Sequence, residues 1–439
     1  MDNKMHRRSF LEAAAVAALA PLSAEANSST RIGVVGVGNR GSSLLRILLS
    51  MEEVKIPALC DIDVQQLGAA QDQVEKSGRP KPEGHSRNEH DFERLMSRDD
   101  LDAVVIATPW EWHVPMAMYS MKAGKYTACE VPAALTFEQC WDLVNTHEQT
   151  GIPYMMLENW CYRGDNLAVL NMIRRGLLGE IVHCHCAYSH DCVYWYFDDK
   201  GYPKWSGNFL TKRNANPEPT HAIGPAMSWM DINCGDYFLY ATSTASRPLG
   251  IYRELARRFG PDHPSVKQKY IQGDVVTTVI KTHKGNTIVV NNDMQLPRPY
   301  DNRWLIQGTL GLYSEEHNAL YLAKETNGSG SSSTMAQGDE WESFEPYETK
   351  FGHSLWKTIP ANSPEGGHGG ADYLVVREFV NAVKSRTQTP IDVYDSVVMA
   401  SIIPLSQESI AKGSAPVECP DFTRGKWRTR RPSFALQNA

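Results

Sequence analysis

The stretch Arg31–Gly41, RIGVVGVGNRG, decides the fold. Ile32, Val34 and Val35 form a short apolar run that suits a buried strand. Gly36-Val37-Gly38-Asn39-Arg40-Gly41 follows, and Ser42 to Leu49 reads as a helix. Gly36 permits a tight turn, Gly38 lets the backbone approach a pyrophosphate, and Gly41 lets helix and strand pack closely. The free N–H groups at the helix start then face the phosphates, which places Asn39 and Arg40 beside the cofactor. A second apolar run, Lys55 to Cys60, ends in Asp61, twenty residues past Gly41. An acid at that distance binds a ribose 2′-OH and repels a 2′-phosphate, so NAD is the expected cofactor.

Beyond this unit, β and α segments alternate to about residue 158. AVVIAT (103–108) ends at Pro109, and Trp112-His113 then opens a helix that runs to about Lys122. Tyr126 to Glu130 is a further strand, a helix spans Phe137 to Gln149, and IPYMMLEN (152–159) returns to the sheet. Such alternation implies a parallel sheet with helices on both faces. Ligands of these sheets sit beyond the carboxyl ends of the strands, which puts Trp110, His113, Glu130 and Asn159 at the site by position alone. Trp110 and His113 are expected on the nicotinamide side, and Glu130 on a ribose or sugar hydroxyl.

After residue 160 the pattern changes. A helix over 165–175 precedes EIVHCHCAYSH (180–190), which alternates like a long strand. RPLGIYREL, DVVTTVIKTH, NTIVVNNDM and NRWLIQGTLGLYSEE read as further strands, hence a mostly antiparallel sheet in a separate α+β domain. Helices over about 371–385 and 394–412 close the chain.

Upstream of the glycine loop lies MHRRSFLEAAAVAALAPLSAEA (5–26). Arg7 and Arg8 precede an apolar run too short to span a bilayer, and Ala24-Glu25-Ala26 is a small-x-small cleavage site. This reads as a twin-arginine export signal over 1–26, a route that carries folded proteins to the periplasm or beyond. The domains that follow are a Rossmann domain over 27–158 and an α+β domain over 159–439. The chain has 439 residues and a formal net charge of −7, which argues against nucleic acid or an anionic membrane surface as a partner. Its nine cysteines include no CxxC pair, so they read as buried thiols and not as a zinc site.

The layout resembles the glucose-fructose oxidoreductase/inositol dehydrogenase/MocA group, an N-terminal dinucleotide domain followed by an open-faced sheet domain. Members of that group usually carry Glu-Lys-Pro after the fifth strand; here the residues are Glu130-Val131-Pro132. The motifs CEVPAALT, MMLENWCYR, PTHAIGP, LPRPY, GHGGADY and VYDSVVMASIIPLS are similar to the NAD-dependent glycosidases of glycoside hydrolase family 109, chiefly α-N-acetylgalactosaminidases. The resemblance implies a bound NAD⁺ that is not consumed. In the cycle it implies, the sugar C3 hydroxyl is oxidised, the C2 proton is lost, the C1 group leaves by elimination, water adds, and C3 is reduced again. It places His221, Tyr162 and Tyr300 in the sugar pocket, with His368 of GHGGADY facing it. A histidine at a helix start has its neutral form favoured by the local dipole and suits a general base. Three residues before it the family has a tyrosine, and this chain has Glu218, either the C2 base or a specificity residue. The group further implies pairing of sheet faces in a homo-oligomer. The competing readings are a periplasmic NAD(P)-dependent sugar oxidoreductase and a non-catalytic sugar-binding protein.

Overall fold

The computed structural model describes residues 29–323, 340–360 and 368–436; the segment expected to be an export signal lies outside them. The first sheet contains β1 (Thr30–Val35), β2 (Val54–Lys55), β3 (Ala58–Cys60), β4 (Glu83–His85), β5 (Ala103–Ile106), β6 (Tyr126–Cys129) and β7 (Tyr154–Met156). Its order is β4-β3-β1-β5-β6-β7, with β2 beside β1, and every pairing is parallel. The order reverses between β1 and β3 on one side and β5 on the other, the crevice where doubly wound sheets bind dinucleotides. The expected strand over 55–60 is interrupted between β2 and β3, where Pro57 cannot donate to a ladder.

Local chemistry sets the helices. Asp63 caps Val64–Lys76 by accepting from the N–H groups of Gln65 and Gln66. Thr136 caps Phe137–Thr150 through the N–H of Gln139, and Gly151, at φ 70°, ends it.

The second sheet contains β8 (Ile181–Ser189), β9 (Phe238–Ala245), β10 (Val275–Thr282), β11 (Thr287–Asp293), β12 (Leu305–Gly308), β13 (Gly311–Ser314), β14 (Ala319–Leu322), β15 (Glu342–Ser343) and β16 (Val417–Glu418). Its order is β15-β14-β13-β12-β8-β11-β10-β9-β16. All pairings are antiparallel except β8 with β11. The sheet expected from sequence is there, extended at its edges by the short strands β14, β15 and β16, and with two further differences. RPLGIYREL is not a strand: Gly250–Phe259 is a helix. Ile251 and Leu255, four apart, are both buried, and Asp274 accepts from the N–H groups of Leu249 and Gly250 at its start. Conversely, β9 (FLYATSTA) escaped notice because its inward residues include Ala241 and Ser243, which carry little hydrophobic signal.

The C-terminal helices return to the first sheet. Ser396 Oγ accepts from Met156 N at 3.1 Å, and Thr389 Oγ1 donates to Tyr154 O at 2.8 Å. Helix Ala371–Ser385 follows His368–Gly370 and lies against helix Asn39–Leu49. The expected last helix is two, Val393–Ala400 and Ile402–Ala411, joined at Ser401.

Candidate active site

A cleft of about 680 Å³ runs along the carboxyl edge of the first sheet and under the second domain. That volume suits a small ligand, in the range of about 300–1,000 Å³. The glycine loop forms one wall. Gly36 has φ +79°, and a Cβ there would meet Ala107 O at 2.5 Å. A Cβ on Gly41 would lie 1.8 Å from Gly36 O, whereas one on Gly38 would meet nothing within 4 Å. Gly36 and Gly41 therefore hold the turn, and Gly38 leaves space open on the cleft side. Asp61 accepts from Val37 N at 2.8 Å and Asp63 N at 2.9 Å, which fixes its carboxylate at the loop. Gly38, Asn39, Arg40 and Asp61 all line the cleft. An open backbone approach beside a fixed acid fits an NAD pyrophosphate and ribose and disfavours a 2′-phosphate.

Arg40 differs from expectation. Its guanidinium turns away from a phosphate role: Nε donates to Glu130 Oε1 at 2.7 Å, and Nη1 and Nη2 donate to Asp372 at 2.7 and 3.0 Å. Two carboxylates within reach outcompete the loop for a planar donor fork. Asp372 is fully buried and also accepts from Asn159 Nδ2 at 2.7 Å and meets His368 Nδ1 at 3.1 Å. Burial opposes its charge, but the bonds from His368 and Arg40 hold its carboxyl well below the usual range. Asn159 Oδ1 is buried without a partner on the cleft wall, an acceptor left for a ligand.

Trp110 and His113 both line the cleft. Trp110 meets Trp195, Trp205 and Phe209 of the second domain edge-on, with ring centres 5.3, 5.5 and 5.4 Å away. The two His113 nitrogens lie 2.8 and 2.9 Å from the carbonyls of Pro132 and Thr108, so the ring is held and burial lowers its pKa.

At the far end sits His221, in the first turn of helix Thr220–Trp229. Its Nδ1 is 2.9 Å from Glu158 Oε1. Glu158 is fully buried, with Oε1 also accepting from Trp160 N at 3.0 Å and Oε2 unpartnered. Burial disfavours the imidazolium, but Glu158, with Glu218 and Glu130 beyond it, raises the His221 pKa to about 9. The expected neutral histidine is thus corrected: a buried carboxylate in contact outweighs the helix dipole. Glu218 is 4 % exposed. Burial pushes its pKa to about 8, with Glu158 and Glu130 adding to the effect and His221 opposing it.

The structure brings His221, Glu218, Glu130, Asn159 and His368 to one cleft. Tyr300 stands at its edge, 39 % exposed, with its ring 5.9 Å from Tyr188 and 5.7 Å from Trp160. Tyr162 is elsewhere. It is fully buried, packs on Phe434 at 5.0 Å, and does not line the cleft, which removes it from the catalytic set; the apolar side of its turn faces the core. Tyr188, on β8, takes the place expected for it, 5.0 Å from the His221 ring and on the cleft wall. Glu158, Asp372 and Tyr188 were missed. Glu158 and Asp372 lie within the motifs MMLENWCYR and GHGGADY, while Tyr188 belongs to an alternating strand that gave no chemical signal. Among the described residues, no group of three or more His, Cys, Asp or Glu is placed to hold a metal ion.

Comparison with known proteins agrees with this geometry. Residues 30–157 match the oxidoreductase family with an NAD-binding Rossmann fold. Residues 162–429 match the C-terminal domain of glycosyl hydrolase 109. A glycosyl hydrolase family 109 protein of Stenotrophomonas maltophilia is 38% identical, with 98% of each chain covered. The α-N-acetylgalactosaminidase of Tannerella forsythia is 37% identical over 92% of this chain and 89% of its own. Levoglucosan dehydrogenase in complex with NADH superposes with a TM-score of 0.67 at 20% identity, covering 90% of this chain and 100% of its own, a likeness of fold. The Rossmann loop with its ribose acid, the His221–Glu158 pair across the same cleft and these matches together establish that the chain belongs to glycosyl hydrolase family 109, as an NAD-dependent glycoside hydrolase.

Proposed function

We propose that the protein is exported and hydrolyses terminal α-N-acetylgalactosaminides or related glycosides in a redox-neutral cycle. The observation that carries this is the placement of His221 and Glu218 in one cleft with the glycine loop, His221 being held from behind by the buried Glu158. The named activity of the Tannerella forsythia relative supports the substrate. NAD⁺ held by the glycine loop and Asp61 would supply a hydride acceptor for the sugar C3 and a hydride donor to restore it.

The chain's own groups do the rest. Glu158 orients His221 through Nδ1, which leaves Nε2 as the nitrogen to exchange a proton with the sugar. His221 accepts the C3 hydroxyl proton during oxidation and returns it on reduction. Glu218 accepts the C2 proton that oxidation at C3 has acidified. Both groups hold a proton in the free protein, so each must release one before it acts as a base. Tyr188 and Tyr300 give the sugar an aromatic border. This differs from the two-carboxylate scheme of most glycosidases.

Hydrolysis of an aryl glycoside in D₂O tests the cycle. Deuterium should enter C2 of the released sugar, while C3 stays unlabelled. Unlabelled product would indicate direct displacement, and a ketone that accumulates until NAD⁺ is added would indicate a sugar oxidoreductase; either outcome overturns the proposal.

A further inference from the structure

Glu218 differs in its partners from the two carboxylates that act on it, Glu158 and Glu130. Glu158 is held by His221 at 2.9 Å, and Glu130 by Arg40 at 2.7 Å. Glu218 has a neutral neighbour, the Thr220 hydroxyl, donating at 3.2 Å, and among the described residues no ion pair reaches it. The cation that acts on it, His221, is already bound to Glu158. Yet Glu218 is 4 % exposed and lines the cleft beside His221 and Tyr188. A buried carboxyl with one weak donor is costly unless a ligand completes it.

We infer that Glu218 selects glycosides whose sugar carries a free ammonium group beside the reacting carbons, a 2-amino-2-deoxy sugar in place of its N-acetyl form. The inference rests on the proposed glycosidase reading and narrows its substrate. That reading puts the C2–C3 edge of the sugar against His221 and Glu218. An ammonium at C2 then gives Glu218 the cation it lacks and a charge-assisted bond in a water-poor site. It also favours the ionised carboxylate, which burial otherwise keeps protonated. An acetamido group offers one neutral N–H, and its carbonyl oxygen would have to share the same wall with carboxylate oxygens. Sugars bearing a carboxylate there are repelled.

The test compares two substrates on the NAD-loaded protein at pH 7, the 4-nitrophenyl α-glycosides of 2-amino-2-deoxygalactose and of N-acetylgalactosamine. Wild type should favour the free amine in kcat/KM by about ten-fold or more, the size of one hydrogen bond to a charged group. Glu218→Gln, which also lacks the C2 base, is read by binding: calorimetry should show 2-amino-2-deoxygalactose bound about ten-fold more weakly than by wild type, with N-acetylgalactosamine bound as before. A wild-type preference for the N-acetyl substrate overturns the inference and leaves the glycosidase reading intact. A Glu218→Gln protein that loses its NAD while binding the amine as wild type does overturns it too, since Glu218 would then answer the cofactor. If neither glycoside is hydrolysed, the glycosidase reading fails, and calorimetry with 2-amino-2-deoxygalactose decides the inference separately. Micromolar binding by wild type that weakens about ten-fold in Glu218→Gln supports it, and equal or absent binding refutes it. Should Glu218→Gln not fold, the wild-type preference alone decides.

Discussion

At the residue scale the two proton-holding groups control the pH response. His221 is raised from 6.5 to about 9 and Glu218 from 4.5 to about 8. Both must give up a proton to serve as bases, so kcat/KM should climb through pH 8–9, with the two apparent values belonging to the coupled site. Stability should run the other way. A raised histidine stabilises fully below pH 6.5 and ceases to do so as pH passes 9. A buried acid that stays protonated when folded loses its contribution as pH rises from 4.5 to 8. Melting temperature should therefore fall between pH 6.5 and 9 while activity grows. Glu158→Gln removes the anion that raises His221, and the rising limb of the profile should move toward neutral pH. A limb that stays in place would show that Glu158 does not set the histidine.

This scale also shows what a chain read without its fold conceals. His221 and Glu218 were legible because they stand together in one motif next to a helix start. Glu158 meets His221 from 63 residues away, and no local pattern marks a carboxylate whose partner is supplied by folding. The same applies to Tyr162 and Tyr188. Both are aromatic and both lie near the right elements, but which one turns into the cleft depends on how helix Thr220–Trp229 seats on β8.

At the element scale, the loop between β1 and helix Asn39–Leu49 offers a clean contrast. Its form was legible because glycine spacing expresses backbone geometry directly. Gly41→Ala would place a Cβ 1.8 Å from Gly36 O, so strand and helix must separate, at a cost of about 1–3 kcal/mol. Gly38→Ala meets no protein atom within 4 Å and should fold with an unchanged melting temperature. Its methyl points into the space a pyrophosphate would take. NAD content after purification should fall in both variants, but only Gly41→Ala should unfold earlier when stripped of cofactor. Full NAD content in Gly38→Ala would contradict the assigned cofactor wall. The helix Gly250–Phe259 shows the reverse of this legibility. Its cap comes from Asp274, on the far side of the chain's next turns, and the local residues read as a strand without it.

At the scale of the whole molecule, all nine cysteines are free, and eight of them are buried. A fold held without disulfides, around a cofactor site closed by the second domain, suits export in the folded state. Replacing Arg7 and Arg8 with lysines should leave the protein inside the native host, folded and NAD-loaded. Unimpaired secretion of that variant would indicate passage as an unfolded chain and uptake of cofactor afterwards. The two-domain layout was legible from the change in period near residue 160. The return of residues 371–400 to the first sheet was not, since their apolar faces are equally suited to either domain.

The bond between Arg40 and Asp372 joins positions 332 residues apart, and it has a consequence for biosynthesis. The guanidinium beside the glycine loop finds its buried carboxylate only after most of the chain has left the ribosome. During synthesis the N-terminal sheet can form, but its arginine lacks that partner, and Asn159 is without the carboxylate that orients it. The mature cofactor wall is thus completed late, after translation of helix Ala371–Ser385. A ribosome-stalled chain ending before residue 370 should bind NAD weakly despite carrying the entire Rossmann sheet. Loading becomes a checkpoint on the finished polypeptide, placed after its release from the ribosome and, on the proposed export, before its departure from the cytoplasm.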